Sequence, residues 1–406
     1  MTRSLMLVTT SLIFCAMASS AVAQQRSNSS DMTDKIDAIF VPLADARTPG
    51  IAILVVKDGK TVFERSYGVR DLHSAVQIDQ RTNFRLASCS KQFTAMSIML
   101  LVHDGKLRYD DKLTDIFPEF PAYGKSVSIR NLLNHTGGLQ DYETLLDQAA
   151  IPGPGQPSRR KWTDEHQIQD AEVLSLLEHT DRGMFAPGTK WYYSNSGYVI
   201  LGLVVAKVSG MPFPEFLHQR IFAPLKMNHT VAYVRGKNEI SNRAYGHSKE
   251  ENTWKQTDQS STSATLGDGG IYSSLEDLAK WDEALRTNRL LSKDEMQPAL
   301  TPFVFADGAQ PRWPANSDRP EGAPALYGFG WFLDPYRGQV RMWHYGETMG
   351  FHSYIVRFES SSGAANSSAS SDPLTNLSIV VLCNRTDVSP ESLALQVANL
   401  FLDSAN

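Results

Sequence analysis

The placement of strand-forming segments constrains this chain more than any other feature. Gly50-Ile-Ala-Ile-Leu-Val-Val-Lys57 is a β-rich apolar run. A hairpin turn follows at Lys57-Asp-Gly-Lys60, then a return strand over Thr61–Tyr67. The middle of the chain is dominated by helix and loop patterns. Strand signal returns at Tyr327–Phe332, Val340–His344, His352–Phe358 and Leu377–Cys383. Helical patterns also mark both ends. Behind a capping Asp31, Met32, Ile36, Ile39 and Leu43 share one helical face, with Pro42 placed to bend or end the helix. Glu391–Phe401 reads as a terminal helix. Strands from both ends with helices between them predict one α/β core, closed by the two termini and carrying a helical insertion. The α/β part takes about residues 31–71 and 325–406, and the helical part about 72–324.

The 406 residues hold 39 Lys+Arg against 44 Asp+Glu, a net charge of −5, and are 42% hydrophobic and 20% charged. That balance excludes a disordered chain and a multi-span membrane protein. It offers no basic face for nucleic acid or for an anionic membrane surface. Three cysteines are too few for a disulfide scaffold. Residues 1–23 read as a secretory signal peptide: Arg3 is the positive n-region, Leu5–Ala18 the apolar stretch, and Ala21-Val22-Ala23 the cleavage site before Gln24. Cys15 does not make this a lipoprotein site, because bulky Phe14 precedes it. Residues 24–406 then form the exported domain. The apolar Gly197–Val208 is shorter than the ~20 residues a membrane span needs and reads as a buried core helix. Leu278–Leu285 reads as a short amphipathic helix, Pro152–Pro157 as part of a long loop, and Ser360–Ser371 as a low-complexity hairpin insert. There is no internal repeat.

Absent motifs narrow the chemistry. The chain has no G-x-S-x-G elbow, P-loop, H-E-x-x-H or paired C-x-x-C, and its ten histidines show no metal-ligand spacing. His344 and His352, eight apart in strand-like sequence, pair as ligands no better than by chance. Ser88-Cys89-Ser90-Lys91, by contrast, opens an apolar helix over Phe93–Val102. Residues three apart share a helix face, so Lys91 lies one turn above Ser88. A serine hydroxyl needs a base, and a desolvated lysine can be tuned toward pKa ~7–8 to serve as one. The helix N-terminus adds N–H groups for an oxyanion. S-x-x-K alone is equally a helix cap followed by a surface lysine, so its context decides.

That context is Asn83-Phe-Arg-Leu-Ala-Ser-Cys-Ser-Lys-Gln-Phe-Thr-Ala95, which resembles the nucleophile segment of the serine β-lactamase and penicillin-binding protein superfamily. It is most similar to the class C β-lactamase-like branch, with its esterases and D-aminopeptidases. Asn131–Leu139, Pro187–Tyr198, Gly267–Ser274 and Trp343–Phe351 resemble further family segments in family order. The resemblance implies a β-lactamase-like α/β (α+β) fold: an antiparallel sheet flanked by helices from both termini, with a large helical subdomain inserted. It implies Ser88 as acylated nucleophile and Lys91 with Tyr193 as the proton-handling pair. Which of the two takes the serine proton stays open, and a tyrosine beside Lys⁺ is biased toward phenolate. Asn195 would offer its amide to substrate and to Lys91, and the backbone N–H groups of Ser88 and Glu347 would form the oxyanion hole. For the Glu347 side chain the resemblance suggests no role.

One departure matters. His344-Tyr345-Gly346 stands where penicillin-recognising members carry K-T-G. His344 and Gly346 are then substrate-binding candidates, with His344 placed to position or protonate the leaving group or to orient Tyr193. The change weakens the case for β-lactams and for peptides ending in D-Ala, and suits esterase or D-aminopeptidase-like relatives. Cys89 and Cys383 read as two buried free thiols, although export would permit a bond. Asn28, Asn134, Asn228, Asn366 and Asn376 open N-x-S/T triplets that matter only in a glycosylating host. The expectation is an exported, periplasmic or secreted serine hydrolase for a small-molecule ester, amide or D-amino-acid peptide. No cofactor, metal or nucleic acid is expected, and oligomeric state is not legible. The alternatives are a β-lactamase or D,D-carboxypeptidase, and a binding or sensing module for β-lactams or peptidoglycan that does not turn over.

Overall fold

A computed structural model describes residues 31–43, 45–150, 162–315, 317, 319–359 and 376–403. The expected signal peptide, the Pro152–Pro157 loop, the Ser360–Ser371 insert, and Asn28 and Asn366 lie outside the described residues.

The core is an antiparallel five-stranded sheet of order β2-β1-β10-β9-β8. Its strands are β1 (Ile51–Lys57), β2 (Lys60–Tyr67), β8 (Val340–Thr348), β9 (Phe351–Glu359) and β10 (Leu377–Cys383). Strands from the two ends of the chain meet at its centre, with Ile51 opposite Cys383 and Lys57 opposite Leu377. Both central strands are apolar without alternation because both faces of the sheet are covered. On these faces lie α9 (Leu275–Arg286), packed on β1 and β10, and α11 (Pro390–Asp403), packed on β10 and β9. A helix over residues 31–40, α1, runs into a 3-10 turn at Val41–Leu43, where Pro42 was expected to end it. Its Ile36 and Phe40 are buried, and Phe40 stacks on Tyr67 at 5.7 Å. The β1–β2 hairpin turns through Asp58 (φ 52°) and Gly59 (φ 74°), the paired positive φ that a tight hairpin requires.

The inserted part is helical, as expected. It contains α2 (Lys91–His103), α3 (Leu113–Ile116), α4 (Ile129–Leu133), α5 (Tyr142–Ala150), α6 (Asp170–Glu178), α7 (Asn195–Ser209), α8 (Phe213–Leu217) and α10 (Lys293–Leu300). α7 is the apolar segment read as a core helix. It packs on α2, α4 and α6 and ends at left-handed Gly210. Among the described residues no single helix is long and apolar enough to cross a membrane.

Two expectations need correction. Tyr327–Phe332 is not a strand. Gly330 (φ 78°) turns the segment so that Gly328 N–H donates to the Trp331 carbonyl at 2.9 Å, and only Phe332 pairs with the sheet edge, at Trp343. A small second sheet, β3 (Phe84–Arg85), β7 (Ile271–Ser273) and β4 (Val231–Ala232), lies within the helical part. A hairpin, β5 (His247–Glu250) and β6 (Thr253–Gln256), lies there too. Strands this short leave no periodic signal.

Candidate active site

Ser88 sits in a 3-10 turn, Ala87–Ser90, that leads directly into α2. The small sheet sets its position: Leu86 N–H donates to the Ile271 carbonyl at 2.9 Å, and Ile271 N–H to Ser90 Oγ at 3.2 Å. Ala87 is held at φ 47°, a left-handed conformation that costs a non-glycine residue ~1–2 kcal/mol. The turn thus carries strain immediately before Ser88, as tightly specified sites often do.

Lys91 is fully buried. Its Nζ donates to Ser88 Oγ at 2.9 Å, to Asn195 Oδ1 at 2.8 Å and to the Asp268 carbonyl at 3.0 Å. The i, i+3 placement read from the sequence is therefore realised, as is the Asn195 contact. Burial pushes the lysine down to about 8, against the opposing charges of Asp268, Glu143 and Asp141. The Tyr193 ring lies 4.9 Å from Nζ. Its hydroxyl is buried, with no well-formed hydrogen bond to any described group. Ser88 is the side chain that most favours its ionisation, yet burial dominates and holds the phenol well above its ordinary range. The phenolate expected from a neighbouring Lys⁺ is not formed, because burial disfavours both charges and moves the two groups in opposite directions.

Glu347 and Gly346 arrive on edge strand β8, which packs on the Ser88 turn. Trp343 exchanges both backbone hydrogen bonds with Phe332, on the side away from β9. Ladder groups alternate direction, so Glu347 N–H also points out of the sheet edge. A Cβ on Gly346 would come within 2.0 Å of the Leu86 carbonyl oxygen. Gly346 thus allows the close backbone approach that brings β8 against the nucleophile turn, and it also lines a cavity beside the end of β8.

His344 is corrected more sharply. It is fully buried, with no surface for substrate. Its Nδ1–H donates to the Tyr345 carbonyl at 2.6 Å, and its Nε2 accepts from Tyr327 OH at 3.1 Å. Burial and the nearby Lys91 charge push it down to about 3. It is neutral at ordinary pH and has no proton to give a leaving group. Its ring, 6.2 Å from that of Tyr193, belongs to an aromatic cluster with Tyr327 and Phe332 that surrounds the tyrosine. His344 and His352 share no ligand site, and no group of three or more metal-ligating side chains occurs among the described residues. Cys89 and Cys383 are both buried free thiols. Asn134 is buried too, which removes it from the surface triplets.

Four site residues escaped the sequence reading. His135, at φ 62°, accepts from Ser194 N–H at 3.2 Å and packs on Tyr193 with ring centroids 4.4 Å apart. Asp268 supplies a backbone carbonyl to Lys91. Asp141 accepts from Asn195 N–H at 2.7 Å, and Glu143 accepts from Asn195 Nδ2 at 3.3 Å. Loss of solvation at its carboxyl and the neighbouring Asp141 and Asp268 raise Glu143 to about 7, although the residue is exposed. His135 and Asp268 lay inside segments quoted for the resemblance. Asp141 and Glu143 had no signal beyond closeness to one of them.

Residues 36–400 match the family model for beta-lactamase. The chain belongs to that family. It is 30% identical over 338 residues to penicillin-binding protein 4* of Bacillus subtilis, a match covering 80% of this chain and 68% of that one. It is 27% identical to a D-aminopeptidase of Brucella ovis, over 75% of this chain and 52% of that one. Its fold is similar to that of D-amino acid amidase from Ochrobactrum anthropi, with a TM-score of 0.68 and 24% identity, covering 92% and 97% of the two chains. It is also similar to the octameric penicillin-binding protein homologue of Pyrococcus abyssi, with a TM-score of 0.69, 23% identity, and 93% and 77% coverage. The β-lactamase-like fold and the superfamily expected from the motifs are thus both met.

Proposed function

We propose that this member of the beta-lactamase family is a serine hydrolase that cleaves amides, and activated esters, through an acyl-enzyme on Ser88. The observation that carries the reading is the buried Lys91 amine, 2.9 Å from Ser88 Oγ and brought down to about 8. Neutral Lys91 takes the Ser88 proton as Oγ bonds to the substrate carbonyl carbon. The resulting oxyanion is held by the N–H groups of Ser88 and Glu347, donors of a kind that contribute ~3–4 kcal/mol to the transition state. Lys91, now protonated, returns that proton to the leaving nitrogen, with the Tyr193 hydroxyl relaying it, and the C–N bond breaks. Water then attacks the acyl carbon by the same proton path, freeing the acid and Ser88.

The substrate class follows from two features. A neutral His344 and a Tyr345 replace the cationic and small residues that would hold a substrate carboxylate, which argues against β-lactams. The Glu143 carboxylate, beside Asn195 and raised to about 7, suits a substrate ammonium. Amino acid amides with a free α-amino group therefore fit best, in keeping with the D-aminopeptidase and D-amino acid amidase relatives. Hydrolysis of D- and L-amino acid amides and of a p-nitrophenyl ester by the wild type and Ser88→Ala tests this. Turnover of a D-amide that disappears in Ser88→Ala is expected, and turnover that survives the substitution removes Ser88. Glu143→Gln should raise KM at least tenfold for the amide and leave the amine-free ester within twofold. We also propose export directed by residues 1–23. The intact mass of the exported form should begin at Gln24.

A further inference from the structure

Beyond Glu347, the end of edge strand β8 borders a cavity of about 450 Å³ whose lining includes Tyr345, Glu347, His352, Asp387 and Glu391. His352 lies in its wall. Glu347 and His352 are directly opposite partners on β8 and β9, one step from the hairpin loop Met349-Gly350. By the ladder's alternation they form a non-hydrogen-bonded pair, the kind whose side chains approach most closely. His352 Nε2 lies 3.1 Å from Glu347 Oε1, and Nδ1 lies 3.2 Å from the Val388 carbonyl, in the segment between β10 and α11. Carboxylate and carbonyl both only accept, so both ring nitrogens must donate. A neutral imidazole has a single N–H and can satisfy one partner, whereas the imidazolium satisfies both.

We propose that His352, as imidazolium, is a positioning residue that ties the tip of β8 to the Val388 segment, and so holds the Glu347 N–H on the oxyanion and makes turnover depend on the charge of a group outside the catalytic set. This rests on the hydrolase reading above, in which Glu347 N–H is an oxyanion donor. The surroundings agree with the geometry. Glu347 and, further off, Asp387 face the ring from β8 and from the segment before α11, while burial opposes its charge, and the balance raises the imidazole. The Arg319 charge also acts on Glu347, and Asp387 is itself held by Arg385, with Lys249 of β5 at 4.0 Å. Because the imidazole is raised, the tie is intact at low pH and is lost as pH climbs through a value above the ordinary ~6.5. Lys91 sets the opposite limb, since its neutral form is the base.

Two measurements test the proposal. The first is the pH dependence of kcat and KM on a p-nitrophenyl ester for wild type and His352→Gln. The wild type should show both limbs. The variant should lose the alkaline limb, lower kcat three- to tenfold, keep KM within twofold and retain the acid limb of Lys91. A variant profile that superimposes on the wild type overturns the proposal while leaving the hydrolase reading intact. Absence of Ser88-dependent turnover in the wild type would instead overturn both. The second is an NMR titration of His352 in wild type and Glu347→Gln, which needs no activity. His352 should titrate above the ordinary value in the wild type and fall toward it in the variant. An ordinary and equal value in both would mean that the tie does not exist.

Discussion

A single buried amine sets the terms at the residue scale. Burial takes charge stability from Lys91 and leaves more of the amine neutral and free to accept a proton: its depressed pKa means that the unfolded chain binds the proton more tightly than the folded one. Folding stability should therefore rise with pH between about 8 and the unfolded value near ~10.4. Below that window the penalty approaches ~3 kcal/mol at most, at ~1.4 kcal/mol per pKa unit. Lys91→Met is thus expected to abolish turnover, by at least ~1,000-fold, while raising the thermal midpoint at pH 7. Differential scanning calorimetry beside a turnover assay checks both. A variant that is inactive and also less stable would show that Lys91 is folded in without cost. In His352→Gln, which should lack the alkaline limb, kcat/KM should climb with pH through about 8, because only the neutral amine accepts the serine proton. The Ser88–Lys91 relation was legible in the sequence because helical geometry turns a spacing of three into contact. The state of Tyr193 was not. Its neighbour could be named from the motif, but the burial that outweighs that neighbour comes from rings at positions 135, 327, 332 and 344 that no local pattern assembles.

Edge strand β8 and the Ser88 turn form the decisive pair of elements. Their spacing depends on Gly346, where an added Cβ would meet the Leu86 carbonyl oxygen at 2.0 Å and the Cys89 nitrogen at 3.3 Å. Gly346→Ala must push the strand outward, and backbone atoms on the opposing side cannot rotate away. Loss of kcat by ~100-fold or more is expected, with a destabilisation of ~1–3 kcal/mol. Urea unfolding and steady-state kinetics measure the two effects. An active, stable variant would mean that β8 does not need this close approach. The apolar central strands were readable as elements, because burial on both faces writes itself into composition. The aromatic Tyr327–Phe332 segment was misread because Gly328 and Gly330 fold it into a turn. The backbone carbonyl of Asp268, a main partner of Lys91, could not have been read at all, since every residue carries one.

Across the whole molecule, Asn384 joins segments that are remote in sequence. Its Oδ1 accepts from Gly50 N–H at 2.7 Å, and its Nδ2 donates to the carbonyls of Val69, Arg70 and Tyr245 at 3.0–3.1 Å. It is fully buried. Asn384→Ala strands several buried polar groups at once and is expected to cost ~2–4 kcal/mol, as read by the shift in the urea midpoint. A loss below ~0.5 kcal/mol would show that water replaces the amide. The arrangement of the two termini around one sheet was legible, because strand signal at both ends has few other solutions.

That arrangement also determines when the molecule can exist. β1 emerges from a ribosome long before its central neighbour, β10, which lies far along the chain at Leu377–Cys383. Contacts so distant along the chain make for slow, late folding. The nascent β1 must wait, without its central partner, until β10 has been made. For the same reason, a stop codon anywhere before Leu377 should yield no partly active fragment, but a chain lacking the middle of its own sheet.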